Sequence, residues 1–395
     1  GATDTIGGIN AIDASGTIGA NDTLLDGGEP GSTFDCGEPG STFDCGEFGA
    51  TFDCGESGST FDCGESGSTL RFLIPIAALF SRESLFTGHG RLMERPLTPY
   101  LDALQKRGAA IVASGGKLCV RGPITSGAYA LPGDISSQYI SGLLFALPLL
   151  SGDSVIELTT ALESASYVEL TIDVMRRFGV SVERSSSHGT FSIRGGQRYA
   201  PCRFTVESDF SQAAFFLVAG ALGRPCECIG LPRGSKQGDR AIVELIRRSG
   251  ARVSESPDGG LTASPPPSGR LLPQEIDVGD IPDLVPPLAA LLSFCEGKSR
   301  IYNAGRLRHK ESDRLASVAA ELSALGARVE QGEDSLTFTG VPSLRGGRVK
   351  GCNDHRIAMM LAVAAIRSAA PVFLSGSECV AKSYPGFWAD FERTV

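Results

Sequence analysis

Val318–Leu325 followed by Gly326-Ala327-Arg328-Val329 decides the fold, because the same arrangement recurs along the chain. A helical stretch stops at a glycine, the residue that most often ends a helix, and a short strand-like stretch follows. The helices of the other three copies are Leu101–Arg107, Ile172–Phe178 and Ile242–Ser249, which stop before Gly108, Gly179 and Gly250. The four glycines are 71, 71 and 76 residues apart. This spacing predicts four surface helices, each of which leads into a strand.

A second class of helix begins at a polar cap and is apolar on all sides, which is typical of a buried helix. Its members are Ser136–Leu150, Ser208–Leu222, Ile281–Phe294 and Asn353–Ile366, with Gly64–Phe80 as a fifth, one step earlier. Each unit of roughly 70 residues therefore holds one surface helix, one buried helix and several short strands. Examples of the predicted strands are Ser154–Leu158, Arg203–Val206 and Ser335–Phe338.

Length and composition indicate a globular protein of two or three domains. The chain has 395 residues, of which 42% are hydrophobic and 21% charged. No apolar run reaches the length of a membrane span, and the N-terminus lacks the basic region of a signal peptide. Four of the eleven cysteines lie at nine-residue steps and the rest are scattered. We therefore expect reduced thiols in a cytoplasmic protein.

Charge is distributed unevenly along the chain. The formal net charge is −9, but residues 1–70 contain thirteen Asp or Glu and no Lys or Arg. The remainder has 36 basic and 32 acidic residues, a net charge of +4. A mildly basic body with clustered arginines suits small anionic substrates. It lacks the long basic runs that are typical of proteins that bind nucleic acids.

Residues 1–63 differ from the rest of the chain. From Gly28 a nonapeptide repeats, of which Gly-Glu-Pro-Gly-Ser-Thr-Phe-Asp-Cys is the first copy. Short glycine-rich repeats can form the turns of a β-solenoid, but one Phe and one Cys per nine residues are few for a core. We predict a flexible or poorly packed segment. The repeat could also be a local duplication of Gly64–Phe72.

Arg306-Leu307-Arg308-His309-Lys310-Glu311-Ser312-Asp313-Arg314, here called the charged cluster, directly precedes the last surface helix. Ser312 and Asp313 lie where an N-cap is expected. A helix start with Arg and Lys beside it suits a phosphate or carboxylate, although a solvated, charged helix start would have the same composition. Two more stretches carry isolated cations, Arg356 at the start of a buried helix and Lys382 in a Pro/Gly loop.

Taken together, these stretches resemble the 5-enolpyruvylshikimate-3-phosphate synthase family (3-phosphoshikimate 1-carboxyvinyltransferase). The resemblance covers residues 64–395 and lies in Gly64-Glu65-Ser66-Gly67-Ser68-Thr69-Leu70-Arg71, Glu94-Arg95-Pro96, Gly133-Asp134-Ile135-Ser136-Ser137-Gln138, Asp280-Ile281-Pro282-Asp283, Lys310-Glu311-Ser312-Asp313-Arg314, Asn353-Asp354-His355-Arg356 and Ala381-Lys382-Ser383-Tyr384-Pro385. All of them occur in the order and at the spacing of that family.

The resemblance implies an α/β fold of two domains built from repeated βαβαββ units, an inside-out α/β barrel of the enolpyruvyl transferase type. We expect an atypical segment over residues 1–63, an N-terminal domain over 64–207 with an incomplete first unit, and a C-terminal domain over 208–395. The implied reaction transfers the enolpyruvyl group of phosphoenolpyruvate to the 5-hydroxyl of shikimate 3-phosphate and releases phosphate. It implies no metal and no cofactor, and we expect a monomer without nucleic-acid or membrane partners.

The resemblance also implies a role for individual residues. The catalytic pair would be Asp283 as base and Glu311 as proton donor, since the addition needs both. The residues that would bind phosphoenolpyruvate are Gly67, Arg95, Gln138, Arg314, Arg356 and Lys382. Those that would bind shikimate 3-phosphate are Ser136, Ser137, Gln138, Ser164, Asp283 and Lys310.

One departure from the family bears on activity. The family carries a Lys-Ser-x-x-His-Arg motif on its first buried helix, whereas this chain has no Lys before Lys106 and no Arg before Arg71. We therefore expect weak turnover from the chain as printed. Two alternatives stay open, namely a catalytically impaired member that keeps the fold, and the related UDP-N-acetylglucosamine enolpyruvyl transferase.

Overall fold

The computed structural model describes residues 58–185, 189–257 and 259–394. It also describes, as backbone only, the strands β1 (Asp4–Ile6), β2 (Thr17–Ile18), β3 (Thr42–Asp44) and β4 (Thr51–Gly55). The chain divides into two compact units. The N-terminal unit ends at Phe204, and the C-terminal unit starts at Thr205 and includes β1 and β2. Each unit has its own hydrophobic core.

The N-terminal unit contains two βαβαββ repeats. The first comprises β5 (Gly58–Asp62), α1 (Gly67–Ala77), β6 (Glu83–Thr87), α2 (Thr98–Gln105), β7 (Ala110–Ser114) and β8 (Lys117–Arg121). The second comprises β9 (Ala128–Leu131), α3 (Ser137–Ala146), β10 (Ser154–Leu158), α4 (Ala165–Arg177), β11 (Glu183–Ser185) and β12 (Thr190–Ile193). The sheet orders are β3-β4-β5-β6-β8-β7 and β11-β12-β10-β9.

The C-terminal unit repeats the same order of elements. After β2 come α5 (Phe210–Leu222), β13 (Cys226–Cys228), α6 (Ala241–Arg248), β14 (Arg252–Glu255) and β15 (Leu261–Ser264). The next repeat is β16 (Glu275–Asp277), α7 (Val285–Leu292), β17 (Lys298–Tyr302), α8 (Arg314–Ala324), β18 (Arg328–Gln331) and β19 (Leu336–Thr339). The last elements are β20 (Gly347–Lys350), α9 (His355–Ala365), β21 (Val372–Ser375) and α10 (Phe387–Thr394). The sheet orders are β1-β21-β20, β14-β15-β13-β2 and β16-β17-β19-β18.

The five predicted buried helices are confirmed as α1, α3, α5, α7 and α9. Twelve of the thirteen residues of α5 and all eight of α7 are buried. Each of the five connects two strands that pair in parallel, such as β16 and β17 around α7. A parallel pair requires a crossover, and an apolar helix serves because it packs onto the sheet it connects.

The four predicted surface helices are confirmed as α2, α4, α6 and α8. The glycines that follow them, Gly108, Gly179, Gly250 and Gly326, have φ of +107°, +86°, +88° and +99°. A residue with a side chain would be strained at these angles, so glycine is required where the chain turns from helix to strand.

Three sequence-based expectations differ from the structure. Arg203–Val206 was expected to form a strand, but the segment is irregular and Val206 is 64% exposed. It lies at the boundary between the units, where it has no strand beside it to pair with. The helix α10 follows the Lys382 loop and was not expected, because it is short and no glycine marks its end.

The described part of residues 1–63 also departs from the expected loose packing. The Thr-Phe-Asp of successive nonapeptides lies in β3, β4 and β5, which pair as antiparallel strands. β5 in turn pairs in parallel with β6, and Phe61 stacks on Phe86 with ring centroids 4.8 Å apart. Threonine and phenylalanine favour strands, which explains this pairing. The remainder of the segment lies outside the described residues.

Gly142 in α3 provides a test of how closely the helices of the N-terminal unit pack. A Cβ at this position would lie 2.4 Å from both the Arg71 carbonyl oxygen and the Tyr100 hydroxyl. We predict that Gly142→Ala lowers the free energy of unfolding by about 2 kcal/mol, because overpacking outweighs the better helix propensity of alanine. Urea denaturation measures the change.

Gly234→Ala is the matched control for this substitution. No atom lies within 4 Å of the Cβ position of Gly234. Its unfolding midpoint should therefore stay close to that of the parent chain. Equal stability of Gly142→Ala and the parent would show that α1 and α3 pack less tightly than described.

Candidate anion-binding site

The candidate site of the C-terminal unit lies where three helices begin. Asp283 lies in the 3₁₀ turn Pro282–Leu284 that leads into α7. Arg314 is the first residue of α8, and Asp354 is the N-cap of α9. The repeated fold therefore brings together residues that are 31 and 40 positions apart in the chain.

The Arg314 side chain is the centre of this site. It is 1% exposed, and its guanidinium contacts three carboxylates. Nη1 donates to Asp283 Oδ1 (2.9 Å), Nη2 to Glu311 Oε2 (2.5 Å) and Nε to Asp354 Oδ2 (2.8 Å). Burial opposes the charge of Arg314, but the three carboxylates outweigh it and raise the pKa of the guanidinium. Arg314 is thus held as a permanent buried cation.

Asp283 is surrounded by cations. Its carboxylate lies 3.3 Å from Lys310 Nζ, 2.9 Å from Arg314 Nη1 and 3.6 Å from Arg356 Nη2. Burial alone would raise the pKa of Asp283, but Arg356, Lys310 and Arg314 together hold it well below its usual range. Burial likewise lowers the pKa of Lys310, although Asp283 acts in the opposite direction. Asp283 is therefore ionised and able to accept a proton.

Arg356 and Lys382 are held by different kinds of contact. Arg356 Nη2 donates to Ser211 Oγ (2.9 Å), and Nη1 donates to the Asp283 carbonyl oxygen (3.2 Å). Burial opposes the charge of Arg356, but Asp283 and other carboxylates raise its pKa. The exposed Lys382 places Nζ 2.9 Å from the Asn353 carbonyl oxygen, directly before Asp354.

Of the five residues expected to converge here, Asp283, Glu311, Arg314 and Arg356 thus belong to one connected network. Lys382 is joined to that network only through the main chain of Asn353.

A second group of the expected residues lies in the N-terminal unit. Arg71 Nη1 donates to Gln138 Oε1 (2.6 Å), and Gln138 Nε2 donates to Ser68 Oγ (2.7 Å). A Cβ on Gly67 would lie 2.9 Å from Nη1 of both Arg71 and Arg95. Burial lowers the pKa of Arg71, and Arg95 lowers it further, while Tyr139 and Tyr100 act in the opposite direction. Two guanidiniums that meet at one glycine favour an anion at that point.

The serines expected to bind shikimate 3-phosphate have structural contacts as well. Ser136 is the N-cap of α3, and its hydroxyl accepts a hydrogen bond from the Gln138 amide (3.3 Å). Ser137 is buried in the first turn of that helix. Ser164 precedes α4, is 2% exposed and has a left-handed φ of +54°. Such a φ is strained for serine, and strain of this kind concentrates at functional sites.

Sequence analysis did not assign four residues that the structure places in these groups. They are Arg71, Ser211, Ser312 and Asp354. Arg71 could have been found, because it lies four residues after Gly67 and so on the same face of a helix. Ser211, in contrast, contacts Arg356 across 145 positions, and no local pattern indicates that contact.

We also searched the described residues for a metal centre and for membrane-spanning helices. No three His, Cys, Asp or Glu side chains there form a group that could hold a metal ion. Among the helices that the structure describes, none combines the length and apolar character needed to cross a membrane.

His355 is a buried titratable group beside the Arg314 network. It is 7% exposed, and its Nδ1 has no hydrogen-bond partner within the protein. Burial, together with the charges of Arg356 and Arg314, lowers the pKa of His355 from 6.5 to about 4. The folded protein therefore keeps this imidazole neutral, whereas the unfolded chain protonates it below pH 6.5.

This difference predicts a loss of stability in mild acid. Between pH 6.5 and about 4 the unfolded chain binds a proton at His355 that the folded chain does not. The contribution to stability is fully present above pH 6.5 and is lost progressively as the pH falls. We expect His355→Gln to reduce the stability lost between pH 7 and pH 5 by about 2 kcal/mol. Urea denaturation at both pH values measures it, and the exposed His309 provides the control, His309→Gln. Identical pH dependence in both variants would refute the assignment.

Comparison with known proteins agrees with this geometry. The family model for EPSP synthase (3-phosphoshikimate 1-carboxyvinyltransferase) matches residues 44–391. The 3-phosphoshikimate 1-carboxyvinyltransferase of Clostridium kluyveri is 49% identical over 324 residues, which are 82% of this chain and 75% of that protein. The Clostridium acetobutylicum protein of the same name is 44% identical over 327 residues, again 82% and 75% of the two chains.

Among solved structures, the EPSP synthase of Acinetobacter baumannii matches with a TM-score of 0.69 and 25% identity, over 88% of this chain and 85% of that one. Fold, sequence and the arrangement of the charged side chains thus agree, and the chain belongs to the EPSP synthase family.

Proposed function

We propose that this chain transfers the enolpyruvyl group of phosphoenolpyruvate to the 5-hydroxyl of shikimate 3-phosphate and releases phosphate. The observation that carries the proposal is the contact of an ionised carboxylate, Asp283, with the three cations Lys310, Arg314 and Arg356. Both substrates are anions, and the reaction needs a proton acceptor beside the groups that bind them.

The residues divide the reaction between them. The 5-hydroxyl gives its proton to Asp283 as its oxygen bonds to C2 of phosphoenolpyruvate, while Glu311 protonates the methylene carbon. The resulting tetrahedral adduct loses phosphate and a proton from its new methyl group, which restores the double bond. Arg314 and Arg356 provide planar donors for carboxylate or phosphate. Gly67, Arg71, Arg95 and Gln138 provide the corresponding groups of the N-terminal unit.

The cations also link substrate binding to proton transfer. In the structure, Asp283 and Glu311 share Arg314 as their partner. An arriving phosphate or carboxylate competes for the same cations and so weakens their hold on both side chains. The pKa of Asp283 should then rise towards the working pH, where a carboxylate exchanges protons most effectively. On this proposal, the anionic substrate itself activates the acid–base pair.

Location and assembly belong to the same proposal. The eight cysteines of the described residues are free thiols, which fits the reducing cytoplasm. We retain the expectation that the chain works as a monomer on small anionic molecules.

A phosphate-release assay with phosphoenolpyruvate and each of two acceptors tests the function. We predict that shikimate 3-phosphate supports release and that UDP-N-acetylglucosamine does not. The absent Lys-Ser-x-x-His-Arg motif predicts slow release, by roughly a thousandfold if several charged contacts are lost together. Single-turnover conditions at high enzyme concentration therefore give the necessary sensitivity.

A chimaera separates a slow enzyme from an impaired relative. In it, residues 1–63 are replaced by a segment that carries Lys-Ser-x-x-His-Arg, which should raise turnover towards that of an ordinary member of the family. Release that depends on UDP-N-acetylglucosamine would overturn the proposal. Inactivity of both proteins with shikimate 3-phosphate would favour a fold retained without this catalysis.

Gly67→Ala tests the anion position of the N-terminal unit. The added Cβ would lie 2.9 Å from Nη1 of both Arg71 and Arg95. Because these are ends of flexible side chains, they can move at little cost in stability, but the anion would lose its alignment with them. We expect the Kd of phosphoenolpyruvate to rise roughly tenfold, as when one charged hydrogen bond is lost.

Isothermal titration calorimetry in the presence of shikimate 3-phosphate measures this Kd. Gly234→Ala, which adds the same methyl group in open space, should bind like the parent chain. An unchanged Kd for Gly67→Ala would remove Gly67, Arg71 and Arg95 from the proposed phosphoenolpyruvate site.

A further inference from the structure

The turn that precedes α9 is strained. Cys352 and Asn353 both have left-handed φ, +55° and +52°. Asparagine tolerates this conformation better than most residues, whereas cysteine does not, so something outside the turn must hold it. The turn matters because the next residue is Asp354, whose carboxylate is 0% exposed and binds Arg314.

The Glu321 carboxylate is the group that reaches this turn from a neighbouring helix. Its Oε2 accepts a hydrogen bond from the Lys350 amide (2.8 Å), and its Oε1 lies 3.8 Å from the Cys352 thiol as a weak acceptor. Both contacts lie at the N-terminal side of the two strained residues. Two oxygens of one side chain thus fix both the main chain and the side chain of the turn.

The position of Glu321 on α8 connects it with the anion-binding network. Glu321 follows Arg314 by seven residues, two helical turns, so both lie on one face about 10 Å apart. Arg314 holds Asp354 directly, and Glu321 holds the turn that leads to Asp354. One face of α8 therefore grips the start of α9 at two points.

We propose that Glu321 is a positioning residue for the anion-binding network. By holding the turn at Lys350–Asn353 it keeps Asp354 aligned with Arg314, and it keeps the Asn353 carbonyl oxygen in place for Lys382 Nζ, 2.9 Å away. It also fixes the first turn of α9, which carries Arg356. Glu321 itself touches none of these cations in the contacts of the described residues. The proposal rests on the proposed function for its choice of ligand, phosphoenolpyruvate.

Glu321→Ala and Glu321→Gln test the proposal. The glutamine amide oxygen can still accept from the Lys350 amide, whereas alanine has no acceptor. We expect Glu321→Ala to raise the Kd of phosphoenolpyruvate roughly tenfold, by calorimetry with shikimate 3-phosphate present, and Glu321→Gln to raise it less. Glu330→Gln, which removes an exposed carboxylate from β18, is the matched control and should bind like the parent.

A rescue experiment separates positioning from general stability. If Glu321 acts by holding a strained turn, Cys352→Gly should relieve the strain, because glycine adopts a φ of +55° freely. The double variant Glu321→Ala/Cys352→Gly should therefore recover most of the lost affinity. Failure of this rescue, with the double variant folded, would overturn the positioning role.

Hydrogen exchange provides a readout that does not depend on the ligand. The Lys350 and Gly351 amides should exchange faster in Glu321→Ala than in the parent, while amides within α5 should be unchanged. If Glu321→Ala does not fold, Glu321→Gln is measured in its place. Unchanged exchange at the turn refutes the proposal, whereas faster exchange in a parent chain that binds no phosphoenolpyruvate refutes the proposed function alone.

Discussion

The burial of the Arg314 guanidinium is the constraint on which the C-terminal unit depends. Removing a charge from water costs several kcal/mol, and only well-placed partners compensate for it. Asp283, Glu311 and Asp354 provide them, from the turn before α7, the segment before α8 and the N-cap of α9. If any of these elements shifts, a buried charge loses its partner. The fold and the site are therefore fixed by the same contacts.

The repeated fold makes such a site possible by placing helix starts where charges are needed. Four of the five buried helices have a serine or aspartate N-cap whose side chain accepts a hydrogen bond from the first turn: Ser66, Ser136, Asp209 and Asp354. α7 is the exception, since it begins from the 3₁₀ turn of Asp283 and carries prolines at its start. Without a cap to serve, the Asp283 carboxylate is available to bind cations. The repeat that departs from the rule thus provides the proposed base.

Sequence patterns predicted most of the elements and fewer of the contacts. Gly326 and its three counterparts could be identified because only glycine suits a left-handed helix end. The apolar run of α5 could be identified because burial dictates it on every side. The strand expected at Arg203–Val206 failed because β-propensity has no effect without a partner strand. The position of Arg314 followed from motif order, but its three carboxylate partners depend on how the α7, α8 and α9 starts meet.

The two units solve the problem of holding an anion in opposite ways. In the N-terminal unit, Arg71 binds neutral partners, the Gln138 amide and the Tyr139 ring, and Arg95 lies close enough to lower its pKa. Two nearby cations repel each other, so an anion between them relieves an existing cost. In the C-terminal unit, Lys310, Arg314 and Arg356 are matched by Asp283, Glu311 and Asp354, so an anion must displace a partner. Displacement weakens binding, but it releases carboxylates that can then move protons. The first arrangement favours affinity and the second favours chemistry, which is why the proposed acid and base both lie in the C-terminal unit.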